Sequence, residues 1–149
     1  MTRNDMFRWV RCGLFWACAA VLAYWSVDRT PPFTLLSYST EPVKRGGTAL
    51  IKANVVRDVT RGCTVTYSRF LFDSRGFRYD LNEQQRMTAE AIKSLDKITP
   101  NVLSIAVPIP QDISVGRALF QSVLHYTCNP LQLIFPITVF MEVDFTILE

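Results

Sequence analysis

The sequence predicts a mostly β protein, an antiparallel sandwich with one short helix, preceded by a single membrane-spanning helix. Three observations predict it. Residues 12–27 form a run of sixteen without a charge, Cys-Gly-Leu-Phe-Trp-Ala-Cys-Ala-Ala-Val-Leu-Ala-Tyr-Trp-Ser-Val. After it, stretches of alternating apolar and polar residues recur between Pro, Gly, Asp and Asn, the pattern of half-buried strands joined by turns. The last stretch sets Ile137, Val139, Met141, Val143, Phe145 and Ile147 against Thr138, Phe140, Glu142, Asp144 and Thr146. That strict period of two, together with Pro136, describes a sheet facing a core rather than a second lipid-facing helix.

The chain divides into a cytoplasmic tail (1–6), a transmembrane signal anchor (7–27), a linker (28–33) and an exported domain (34–149). Sixteen residues give about 24 Å of helix, short of the roughly 30 Å hydrocarbon core, so the flanks must lengthen the span. Phe7 and Trp9 extend it upstream, while Arg8 and Arg11 snorkel to the headgroups. Tyr24 and Trp25 fall where an outer aromatic belt belongs. Arg3, Arg8 and Arg11 against the single Asp5 put positive charge before the helix. The expectation is an inner-membrane (cell-membrane), single-pass protein with a cytoplasmic N-terminus and a periplasmic or otherwise extracytoplasmic C-terminal domain. A cleaved signal peptide is the competing reading, with Val21-Leu22-Ala23 as its cleavage site. Trp9, Trp16 and Trp25 favour retention, since they suit an interface better than a short disposable core.

Once the anchor is set aside, about 120 residues remain, enough for one domain with one core. Taking Arg3, Arg8, Arg11 and Asp5 from the chain's 16 basic and 13 acidic residues leaves 13 against 12. That balance argues against a nucleic-acid partner, which needs a basic face. Cys12 and Cys18 lie six apart on the membrane helix, about 240° round its axis, so they do not share a face as metal or haem ligands would. Cys63 and Cys128 are the only cysteines of the exported domain, and an oxidising compartment makes a disulfide their default state.

Asp28 to Phe33 contains Pro31-Pro32 and reads as a stiff linker reaching about 19 Å in polyproline form, which keeps the domain close to the bilayer. An edge strand follows at 34–39, stopped by Pro42 and Gly46-Gly47. Residues 48–57 alternate, with Ala49, Ile51, Ala53 and Val55 on one face. In 63–72, Cys63, Val65 and Tyr67 share a face while Phe70 and Phe72 fall out of phase, predicting a bulge near Ser68-Arg69. Asp73-Ser74-Arg75-Gly76 is a turn, and Phe77, Tyr79 and Leu81 complete a hairpin. For 82–98 the spacing predicts the one soluble helix, capped by Asn82 with Gln85 three residues on, carrying Met87, Ala91, Leu95 and Ile98, and ended by Pro100. Strands return at 102–107 and 118–128, the second with Ala118, Phe120, Ser122, Leu124, Tyr126 and Cys128 on one face.

About seven short strands over some 115 residues, with Tyr126 two residues before Cys128, resemble an immunoglobulin-like sandwich and its tyrosine corner. The resemblance covers residues 33–149. The exported domain has no tryptophan, and Phe77 stands in the region where the family's buried tryptophan is expected. In that topology Cys63 opens the third strand and Cys128 closes the sixth, which are antiparallel neighbours. The resemblance therefore implies a bridge between two strand ends of one sheet rather than between sheets.

Function is expected in the loop 129–136, where two prolines bracket Leu131, Leu133, Ile134 and Phe135. Exposed, these side chains form a contact patch for lipid or a neighbouring membrane protein; the bland alternative is that they cap the core. His125 has no companion ligands and is read as a solvated strand residue, so no metal is expected. Arg57, Arg61, Arg69, Arg75, Arg78 and Arg86 are interspersed with Asp58, Asp73, Asp80 and Glu83 and read as a mixed solvated surface. No acid, base and nucleophile converge in the pattern, and no cofactor motif is present. The expectation is a non-enzymatic membrane protein whose exported domain binds a membrane-protein partner or another copy of itself, with membrane lipid alongside, as an accessory or assembly subunit. A phage, prophage or mobile-element envelope protein that binds a ligand or protects the host envelope is the alternative.

Overall fold

A computed structural model describes the backbone of residues 3–149 and the side chains of residues 9–81 and 85–149. The first element is α1 (Arg3–Val27), 25 residues long and so about 37 Å. Its stretch Trp9–Val27 is long and apolar enough to cross a membrane, and none of its residues is fully buried. The remaining chain is mostly strand: β1 (Phe33–Ser39), β2 (Val43–Lys44), β3 (Thr48–Arg57), β4 (Thr64–Phe72), β5 (Arg78–Met87), β6 (Val102–Pro108), β7 (Gly116–Thr127) and β8 (Ile137–Leu148). One further helix, α2 (Ala89–Ile98), and a 3-10 turn, Pro130–Leu133, complete it.

Two sheets pack sandwich-like over a shared core. One has the order β1-β3-β6 and the other β2-β8-β7-β4-β5. Every pairing is antiparallel except β2 with β8. The alternations expected from sequence become the inner faces: Ala49, Ile51, Ala53 and Val55 from β3, and Ile137, Met141, Val143, Phe145 and Ile147 from β8, are all buried. Such alternation arises because successive side chains of a strand point to opposite faces, and only one face meets a core.

Three expectations need correction. Residues 82–87 are strand, not helix, because the backbone there pairs with β4; the helix starts later, with Thr88 as its cap, accepting from Ala91 N at 3.3 Å. The proposed Asn82 cap falls on a side chain outside the described residues. Secondly, β4 runs without interruption along β7, from Thr64 opposite Thr127 to Phe72 opposite Leu119. The bulge lies across from it, on β5, where Tyr67 faces Gln85, Arg69 faces Asn82 and Phe70 faces Asp80. Arg69 therefore joins Cys63, Val65, Tyr67 and Leu71 on the inward face. Thirdly, Phe77 is 61% exposed, and Leu71 and Phe120 fill the core instead. The segment read as a break around Pro42 also holds β2, which joins the edge of the large sheet beside Ile147 and Leu148.

The turn between β4 and β5 forms as expected. Asp73 Oδ1 accepts from Arg75 N and Phe77 N, each at 2.9 Å, and Gly76 takes the left-handed conformation at φ 82° that a side chain would resist. Tyr126 is buried at the end of β7, but among the described residues its hydroxyl makes no hydrogen bond to the backbone, so the tyrosine-corner contact is not formed. Burial pushes that hydroxyl's pKa well above the ordinary tyrosine value, against the opposing pull of Arg57.

Candidate functional site

The loop between β7 and β8 is shaped by its polar residues and presents its apolar ones. Asn129, extended at the start of the 3-10 turn, accepts from Gln132 N through Oδ1 at 3.1 Å. Pro130 follows at a position whose N–H would otherwise lack a helical partner. The N–H groups of Ile134 and Phe135 both reach Leu131 O, at 3.2 and 3.1 Å. These bonds close the turn and force alternate sides outward. Leu133 and Ile134 are each 72% exposed and Phe135 is 56% exposed, while Leu131 is half-buried. Of the four residues expected in the patch, three are exposed and Leu131 is partly buried.

Gln132 faces the opposite way and is 1% exposed. Its Oε1 accepts from Cys128 N at 2.8 Å and its Nε2 donates to Asp28 O at 2.8 Å. A buried amide satisfied on both ends is a fixed joint, since losing either partner strands a desolvated polar group. Here it joins the loop to the foot of α1.

Other bonds repeat that connection. Asn129 Nδ2 donates to Trp25 O at 3.5 Å, and Arg29 donates to Phe135 O at 3.0 Å. Arg61 pairs with Asp28 Oδ2 at 2.5 Å and also donates to Thr30 O. Asp58 N donates to Pro32 O at 2.8 Å, and Pro32 and Phe33 are buried. The Asp58 carboxyl is held below the ordinary aspartate value chiefly by the Thr60 hydroxyl, at 2.6 Å, and then by the Thr60 N–H, at 3.0 Å. Residues 28–33 are thus a clamped junction, not a free spacer, and Phe33 already belongs to β1.

The disulfide lies immediately beside this junction. Cys63 and Cys128 are bonded with their Cα atoms 4.1 Å apart, just beyond the Thr64–Thr127 pair at the ends of β4 and β7. It ties two strand ends of one sheet. On α1, Trp9, Arg11 and Tyr24 are exposed, like most of the helix, and Trp25 is half-buried against the domain. The Arg8 side chain lies outside the described residues.

The arginines do not form one solvated surface. Arg61 clamps the junction. Arg57 is bound to Asp96 at 3.4 Å and to the carbonyls of Thr99 and Val102 at 3.2 and 3.0 Å, and Arg69 points inward. Arg75 and Arg78 do remain at the surface, Arg78 over the Phe70 ring at 3.9 Å. His125 pairs through Nδ1 with Thr138 Oγ1 across β7 and β8, at 3.0 Å. Among the described residues no group of three or more His, Cys, Asp or Glu could hold a metal ion. Gln132 and Arg61 were missed as site residues. Asn129-Pro130 with a glutamine among apolar neighbours was the available signal for Gln132, whereas the Arg61–Asp28 pair, 33 residues apart, left no local trace.

No protein-family model matches the chain, and no curated protein matches it either.

Proposed function

We propose that this is a single-pass membrane protein whose exported immunoglobulin-like domain acts as an accessory or assembly subunit, docking a membrane-protein partner through Leu133, Ile134 and Phe135. The carrying observation is the display of those three exposed apolar side chains on a loop hydrogen-bonded to the foot of α1. Contiguous exposed apolar groups mark interaction sites. Lipid contact needs no fixed shape, but a protein groove rewards a preorganised one, and here the loop is bonded to the linker, the helix end and the residue of the disulfide.

The strand order supports the family reading. Counting the long strands alone, the sheets contain the first, second and fifth against the seventh, sixth, third and fourth. That departs from the seven-strand immunoglobulin partition only in the fourth strand, which pairs beside the third instead of joining the sheet of the first, second and fifth. Retention of the helix as an anchor is supported by its Trp25 carbonyl bond to Asn129, and export by the disulfide. The arginines at the N-terminal side of α1 support a cytoplasmic N-terminus.

Crosslinked co-purification of the full-length protein from native membranes, followed by mass spectrometry, tests the reading. The expected result is a stoichiometric membrane partner that is lost when Leu133 and Phe135 are both replaced by Ser, with the domain's circular dichroism unchanged. Recovery of the same partner with the double variant removes the loop as the docking surface.

A further inference from the structure

Between the sheets, beneath α2, lies a cavity of about 100 Å³. On this scale a water needs about 10–15 Å³, so the space accommodates a stretch of single alkyl chain. Its walls are apolar: Phe33, Leu103 and Ile105 on one side, Val65, Leu124 and Met141 on the other. Ala89, Ile92 and Leu95, three residues apart and so on one stripe, form its roof from α2. No residue of α2 is fully buried, so the roof is a single layer, tied at its C-terminal end by Arg57 to Asp96 and the Thr99 carbonyl.

Three charged residues interrupt the apolar lining: Arg57 and Asp58, each already bonded within the protein, and Arg69. Arg69, half-buried on the inner face of β4, lies over the Tyr67 ring at 4.7 Å, and its Nε is shielded from solvent with no hydrogen-bond partner among the described residues. Ser122, itself buried, stands directly opposite it in register on β7. Burial draws the Arg69 pKa down from its ordinary value, and a guanidinium still remains charged. A shielded Nε–H with no partner among the described residues is costly, and an anion delivered to it relieves that cost.

The cavity is also oriented. Pro32, Gly62 and Cys63 wall the end nearest α1, and the Arg69 backbone lies six residues along β4, about 20 Å farther on, with its guanidinium over the Tyr67 ring. An outer-leaflet lipid points its head away from the bilayer and its chain back into it, which is the same polarity.

We propose that the cavity under α2 binds a long-chain fatty acid, its carboxylate on Arg69 and its alkyl chain running between the sheets toward the anchor. One monoanionic head suits one arginine and one serine, and one chain suits the volume. The inference uses the membrane anchor for its route but is independent of the protein partner proposed for the loop.

Full-length protein in nanodiscs of zwitterionic phospholipid, titrated with oleate carrying a 13C carboxyl, tests it by NMR. The expected result is a carboxyl resonance distinct from that of bilayer oleate, saturating at one per chain. Arg69→Met should weaken binding about tenfold or more, and Ile92→Trp, which fills the cavity from the half-exposed roof, should remove the resonance. Labelled oleyl alcohol should give no protein-bound signal. The proposal is overturned by a wild-type protein without a saturable resonance, or by variants that keep the wild-type melting curve and bind oleate equally. If Arg69→Met does not fold, Ile92→Trp decides alone.

Discussion

Asp73 shows how a single carboxylate sets an acid limit. Burial raises its pKa, but the N–H groups of Phe77 and Arg75, with Ser114, outweigh it and leave the group below its ordinary value. A carboxylate depressed in the folded state adds stability above its unfolded pKa of about 3.9, and that contribution is lost as pH falls through the folded value. Asp58 has the same sign. Asp73→Asn is therefore expected to lower stability at neutral pH and to flatten the loss below about pH 4. Urea midpoints measured from pH 7 to pH 2 check it, and an unchanged acid limb in the variant would contradict it. At this scale the sequence was a partial guide. The Asp73 turn was legible because its bonds are local, whereas the inward setting of Arg69 was hidden: a charge within an alternating strand reads as a solvent position until the register with β7 is known.

For whole elements, what was legible depended on what the backbone pairs with. Strands β3, β7 and β8 were readable because each has one face on the core. Residues 82–87 were misread because Met87, Ala91, Leu95 and Ile98 share a helical period that continues the true helix α2 backward, while pairing with β4 decided otherwise. The candidate loop was legible in position and composition, since Pro130 and Pro136 bound it; its bonding was not. The disulfide also belongs to this scale. It closes a separation of 65 residues between strands already paired, so its removal constrains the unfolded chain less without changing the native register. Cys63→Ser with Cys128→Ser should cost about 4 kcal/mol and keep the β signature in circular dichroism. An identical denaturation midpoint for the pair and the oxidised parent would show that the bridge does not act this way.

For the molecule as a whole, the question is whether helix and domain move as one. Gln132→Leu keeps roughly the size of the side chain but strands the Asp28 carbonyl and the Cys128 N–H, at about 1–3 kcal/mol for each group left unsatisfied. The loss falls on the junction, so residues 28–32 should become protease-sensitive in nanodiscs while the sandwich persists. Cleavage at the wild-type rate would mean that the clamp does not depend on this amide.

The same joint sets a route for mechanical load. Tension between the bilayer and anything gripping residues 133–135 runs from the foot of α1 through the Asp28–Gln132 bond straight into Leu133, while the Gln132–Cys128 bond and the disulfide brace that joint from the side. That path is a few residues long and bypasses the hydrophobic core, so a pull on the complex strains the base of the domain and leaves the two sheets, with the cavity between them, unloaded.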